Sequence, residues 1–380
     1  MNKLDLNESE FVQASNTLNN RWLNQWKQED RKILGYYCSY VPLELIHAMG
    51  ILPFRIRGTG CKDTVLADAI LAKINCSFVK ATLNLALQGE YNFLDGMICE
   101  NSCDHVRRMI DIWRRKVVEP NFPLFFLSIP HTITEAGLDW LKTEVNSFKE
   151  QLETTFSENI SEDALINSIQ IFNENRRLLR EIYGLRILNE PKILGSEFTQ
   201  LIVANGSIPK EICNSELTNI IDILNDREVI KDYRARLMLI GSCVDNPAFM
   251  NIFEEVGGLI VTDSLCYGVR SFWDDVDLTS NPLNGLINAY YHRISCPRMM
   301  DAHPTRLEFV KDQIAKAKVD GVILQRLEFC DLHGTDNMLL SHDLEGLDIP
   351  ILNIDREYLM SDIGRFKTRV EAFIEQMMVK

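Results

Sequence analysis

The sequence predicts an α/β protein built from two doubly wound parallel sheets joined by a helical connector, and three observations carry that expectation. Eight short runs are continuously apolar instead of alternating, the mark of strands covered by helices on both faces. A long middle stretch lacks such runs. The flanking halves also echo each other: "DGMICENSCDH" (Asp95–His105) and "DGVILQRLEFCDLHG" (Asp320–Gly334) each open a strand with Asp-Gly and close on Cys-Asp.

Taken in order, residues 1–30 form an N-terminal helical segment, and a first α/β domain spans 31–133. Its strands are "ILGYYC" from Ile33, "LPFRI" from Leu52, "GMIC" from Gly96 and "LFFLSI" from Leu124. The connector covers 134–230, where Ser161, Glu162 and Asp163 start a helix whose Leu165, Ile169, Phe172, Leu179 and Ile182 recur at helical spacing. The second α/β domain, 231–380, supplies "RLMLIGS" from Arg236, "GLIVTD" from Gly258, "GVILQ" from Gly321 and "PILNI" from Pro350. Asn246-Pro247 and Asn281-Pro282 each place a capping side chain before a proline at the first helical position.

Such sheets bind ligands past the carboxyl ends of their strands. Two of those edges facing one another would make an interdomain cleft with a Cys-Asp site on each wall. A net charge of -14 opposes a nucleic-acid-binding role, which needs an excess of Lys and Arg. The one basic cluster, "HVRRMIDIWRRK", fits either the solvated face of an amphipathic helix or a local anion-binding or docking surface. No stretch approaches the roughly 20 apolar residues of a membrane span. The start "MNKLDLNESEFVQ" lacks a secretory apolar run, so the expected location is cytoplasmic.

Ten cysteines in such a chain are expected to be reduced. Cys76, Cys103 and Cys330 stand at loop-to-helix starts in separate segments, where they could form an iron-sulfur site with no fourth protein thiolate or remain unliganded core or nucleophilic thiols. Cys103 is expected to follow a cap at Ser102 or Asn101 and to have a lowered pKa at its helix N-terminus. Cys99 and Cys213 read as packing residues, whereas Cys38, Cys243, Cys266 and Cys296 follow strand ends and could line the cleft without ligating anything. His105, His131 and His333 lie near strand ends, as acid-base candidates or as partly buried side chains with backbone partners. Neither a phosphate-binding glycine loop nor a serine-hydrolase elbow occurs.

The ordered segments together resemble the family of 2-hydroxyacyl-CoA dehydratases and ATP-dependent benzoyl-CoA reductases. The marks are "GYYCSYVPLELIHAMGILP", "NCSFVKATLNLALQGEYNFLDG", "NSCDHVRRMIDIW", "FLSIPH", "GSCVDNPAF", "DSLCYGVRSFW", "DGVILQRLEFCDLHG" and "GRFKTRVEAFIE". They cover the chain from about Gly35 onward, and several look most like the smaller cluster-binding subunit of benzoyl-CoA reductase. The resemblance implies two Rossmann-like (flavodoxin-like) domains with a 4Fe-4S cluster in the cleft between them, held by Cys76, Cys103 and Cys330. It further implies a related larger cluster-binding subunit as partner, an activator ATPase with its own 4Fe-4S cluster as electron donor, and an acyl-CoA substrate handled by one-electron chemistry. Ser39 and Tyr40 would lie near the acyl group with His131 as a third catalytic candidate, and Arg107 or Arg270 would meet a phosphate or carboxylate. Two departures bear on the substrate groove: Pro42 is followed by Leu43-Glu44 where the family usually has Pro-Glu-Glu, and Lys80-Ala81-Thr82 stands where many members have Arg-Ser-Cys. The alternatives are a double-cubane cluster reductase, with Cys243, Cys266 and Cys296 in the region of the extra ligands, and a non-catalytic paralogue that binds CoA or relays electrons.

Overall fold

A computed structural model describes residues 6–279, 281–360 and 362–378 of the chain. The first sheet holds β1 (Ile33–Tyr36), β2 (Leu52–Arg55), β3 (Gly96–Glu100) and β4 (Leu124–Leu127), all parallel and ordered β2-β1-β3-β4. The second holds β5 (Ala235–Gly241), β6 (Gly258–Ser264), β7 (Gly321–Leu327) and β8 (Ile351–Arg356), ordered β6-β5-β7-β8. Both sheets therefore have the same strand order within their own half, and helices surround them. This is an α/β fold of two Rossmann-like units. In each unit the order reverses between the first and third strands, where the strand ends leave a crevice.

The Asp-Gly echo has a physical cause in that topology. The Asp95 carboxylate accepts the Ile33 N–H at 2.9 Å, and the Asp320 carboxylate accepts the Arg236 N–H at 2.7 Å. Each aspartate's own N–H returns a bond to the carbonyl of the same partner at 2.8 Å. The pair of bonds pins the start of the third strand to the start of the first. The glycine that follows admits close packing: a Cβ on Gly96 would stand 2.6 Å from Leu34 Cδ2, and one on Gly321 would stand 2.6 Å from the Met377 sulfur.

Six strands are buried along their whole length or all but one residue, as continuous apolar runs predict. Of the four edge strands, β2 and β6 share that burial whereas β4 and β8 do not, and Phe126 on β4 is 45% exposed. Between the sheets run four helices, Glu135–Phe156, Glu162–Ile187, Gly195–Asn205 and Lys210–Asp226. Ser161 caps the second of them by accepting the Ala164 N–H, and Asn246 and Asn281 cap their helices ahead of proline. The long helix Glu162–Ile187 reaches both halves. Buried Arg186 donates to Asp263 at 2.7 Å and to the Ile260 carbonyl at 2.8 Å on β6, while Arg176 pairs with Glu44 beside the first sheet. At the N-terminus, helical turns run from Leu6 to Asn16 and a helix spans Arg21–Gln28; residues 1–5 of the expected N-terminal segment lie outside the described residues. Among the described residues no helix is long and apolar enough to cross a membrane.

Candidate functional site

Cys103 and Cys330 each follow the third strand of their own sheet, so the echoed motifs occupy equivalent positions. Each cysteine is itself the N-cap of the helix that follows, Asp104–Lys116 and Asp331–Leu344. Cys76 caps Ser77–Leu87, the last helix before β3. A cap at Ser102 or Asn101 was the sequence expectation, but the turn runs further before the helix begins. Asn101 instead clamps the loop after β4, accepting the Ile129 N–H at 2.9 Å and donating to the Ile129 carbonyl at 3.1 Å.

The three cysteines line one cavity of about 460 Å³ between the halves, with Asn101, Arg107, Phe126, His131 and Leu332 on the remaining wall. Two local features aim the thiols. His105 Nδ1 accepts the Cys76 N–H at 3.3 Å, which ties the start of one cysteine-bearing helix to the first turn of the next. Phe329 has a φ of +65°, a left-handed turn that brings the chain from β7 to Cys330 at a cost of about 1–2 kcal/mol for a non-glycine residue.

All three thiols titrate above the ordinary cysteine range. Burial pushes Cys76 far up and Cys103 up to about 12, and it raises Cys330 as well. Mutual repulsion adds to this at Cys76, where thiolates at Cys103 and Cys330 would face it. The first-turn amides act in the other direction, those of Phe78 and Val79 on Cys76 and those of Val106 and His105 on Cys103. The lowered pKa expected for Cys103 is thus reversed, because loss of water outweighs the helix terminus. A nearby positive charge, such as a metal provides, would favour the thiolate forms. Among the described residues no three His, Cys, Asp or Glu side chains converge tightly enough for a single metal ion.

The remaining sequence candidates fall in different places. His131 lies on the cavity wall with a lowered pKa, caused by burial and then by the Arg298 guanidinium, so it is neutral at physiological pH. Arg107 lines the mouth and pairs with Asp104 at 3.1 Å, both well exposed. Arg270 is buried away from the wall and donates to the Ser295 carbonyl at 2.9 Å. Ser39 lines a separate, smaller cavity, and buried Tyr40 accepts the Cys296 N–H at 3.4 Å. Cys38, Cys243, Cys266 and Cys296 are not on the wall. The sequence reading missed Arg298. Almost fully buried, it donates to Asn101 Oδ1 at 3.1 Å and to the Ile129 carbonyl at 3.0 Å, holding the loop that carries His131. Nothing in "SCPRMM" signals that reach, because its partners lie far upstream on the other half of the chain.

Residues 38–377 match the family described as 2-hydroxyglutaryl-CoA dehydratase, D-component. The chain belongs to that family. A benzoyl-CoA reductase subunit from Thauera aromatica is similar at 28% identity, over 81% of each chain. The (R)-phenyllactyl-CoA dehydratase beta subunit of Clostridium sporogenes is similar at 24%, over 93% of this chain and 94% of that one. The beta subunit of (R)-2-hydroxyglutaryl-CoA dehydratase from Acidaminococcus fermentans is similar at 25%, over 93% and 95%. In this D-component chain the match begins at Cys38, just past β1, and extends into the last helix, Ile363–Met378, so every cavity-wall residue lies within it.

Proposed function

We propose that the chain is the 4Fe-4S subunit of an acyl-CoA enzyme, either a (R)-2-hydroxyacyl-CoA dehydratase or a benzoyl-CoA-type reductase, with Cys76, Cys103 and Cys330 as the cluster ligands. The observation that carries this reading is the gathering of three thiols, one buried and two half-buried, two from one half and one from the other, at three helix N-termini around one cavity. The bound cluster would supply one-electron reduction together with an iron that carries no protein ligand.

The chain's own groups do the rest. Positive helix termini favour the thiolate form once protons have left. Phe126 and Leu332 give the cavity an apolar wall, and neutral His131, oriented by Arg298, offers a hydrogen bond to a polar acyl oxygen. Exposed Arg107 at the mouth suits the phosphates of CoA. The relatives are named as subunits, and we assign this chain a related larger cluster-binding subunit as partner and an activator ATPase with its own 4Fe-4S cluster as electron donor.

Iron and sulfide counted per chain after anaerobic purification test the reading. About four irons are expected for one cubane. About twice that number would replace this reading with a double-cubane reductase, and an iron-free chain would overturn both. Cys103→Ser should lose most of the iron; full iron retention would refute the ligand set.

A further inference from the structure

A second cavity lies apart from the cysteines, where the carboxyl ends of β1 and β2 meet the connector. Its volume is about 60 Å³. A water needs roughly 10–15 Å³ by this measure, so the space suits about four waters or one small polyatomic ion and excludes a nucleotide. Three arginines and a lysine line it, Arg55, Arg176, Arg293 and Lys210, and no carboxylate does; burial lowers the Lys210 pKa, and a bound anion would favour its charged form.

Burial makes that imbalance significant. Arg55 and Lys210 are each 5% exposed. Among the described residues only Arg176 of the four bonds a carboxylate, that of Glu44, whose second oxygen accepts the Tyr290 hydroxyl at 2.8 Å. Arg55 donates to the Cys266 carbonyl at 2.7 Å, stacks on the Tyr267 ring at 3.5 Å and leaves its Nε without a partner. Lys210 donates to the Asn205 carbonyl, and Arg293 to the carbonyls of Ser39 and Arg270. Carbonyl dipoles solvate a cation without neutralising it, and buried charges left unneutralised are costly. Planar guanidinium forks match planar or tetrahedral oxyanions, and a compact ammonium adds a point charge to the same ligand.

We propose that this cavity binds one small oxyanion, a carboxylate or a phosphate, on Arg55, Lys210 and Arg293. The seat joins the first sheet's edge, the connector and the second half. It is independent of the cluster reading.

The test uses the full chain, purified anaerobically into chloride buffer. Its thermal midpoint is followed as sodium acetate or sodium phosphate replaces sodium chloride at constant ionic strength. A saturable rise is expected, following the mass-action stabilisation of the folded state. A response to acetate alone identifies a carboxylate, to phosphate alone the inorganic ion, and to both the shared oxyanion chemistry. No rise over chloride would overturn the proposal. Lys210→Met should keep the wild-type iron content while raising the half-saturating concentration at least tenfold, each protein's response being read against its own anion-free midpoint; an unchanged response refutes the site. Calorimetric titration of the unaltered chain provides a reading that needs no variant: about one oxyanion per chain supports the site, and none, or several equivalent weak ones, overturns it.

Discussion

Glu44 is the buried joint between three parts of the chain, and removing its charge should be among the most damaging single changes. It sits on the helix Leu43–Ala48 with its side chain fully buried, accepting from Arg176 on the connector helix and from the Tyr290 hydroxyl at 2.8 Å on the helix Pro282–His292. The Ser168 hydroxyl donates to its backbone carbonyl at 2.8 Å. Glu44→Gln keeps the shape and one hydrogen bond but leaves the Arg176 guanidinium, 8% exposed, with no countercharge. Breaking a buried pair on one side costs about 3–5 kcal/mol, whereas replacing both members with apolar residues is often neutral or better. Urea unfolding followed by both tryptophan fluorescence and far-UV circular dichroism should show that loss for Glu44→Gln. Glu44→Leu combined with Arg176→Met should recover most of it. A Glu44→Gln cost under about 1 kcal/mol would place the pair with solvated surface bridges and refute the burial argument. The same variant adds to the cation surplus of the small cavity, so oxyanion binding should tighten.

Glu100, at the end of β3, is fully buried and titrates at about 8 because burial raises it. The folded chain therefore holds a proton that the unfolded chain releases above its ordinary pKa of 4.5, so this group destabilises the fold progressively as pH rises from about 4.5 to 8. Glu100→Gln should stabilise the fold at pH 7.5, raising the thermal midpoint, by on the order of 4 kcal/mol (about three pKa units at 1.36 kcal/mol each), with little effect at pH 4.5; an equal gain at both pH values would sink the assignment. Gly241 has a φ of +136°, and a Cβ there would fall 1.7 Å from the Gln325 carbonyl oxygen, so Gly241→Ala should abolish soluble expression. Asp320→Ala strands the Arg236 N–H and should cost about 1–3 kcal/mol in urea unfolding. Asp95→Ala should cost no less, since Lys27 also bonds that carboxylate at 3.0 Å.

The strands were legible because burial on both faces writes itself into composition: all eight apolar runs are strands. β4 and β8 show the limit: their runs are apolar like the others, yet they are partly exposed while the edge strands β2 and β6 are buried, because cover by neighbouring elements is a property of the tertiary structure and not of the run. Caps at Ser161, Asn246 and Asn281 were readable from side-chain chemistry. The Cys103 cap was missed because thiols are not expected there, and its pKa because burial depth belongs to the tertiary structure. Arg298 was invisible for the same reason. Ser39 stood out in its motif, yet its neighbours in space are the connector and the second half, which no local pattern encodes.

The matching strand orders give four corresponding helix starts, one before and one after the third strand of each half. Cys76 and Cys103 occupy both seats of the first half, and Cys330 occupies the later seat of the second. The corresponding start in the second half, the N-cap of His303–Ala317, is Ala302, which is buried in the core and does not line the cavity. The repeat thus brings three thiol-bearing helix starts to the cavity and no fourth. Any metal group held by the three thiol-bearing seats would keep a face that the chain itself does not claim, and that openness follows from the broken repeat.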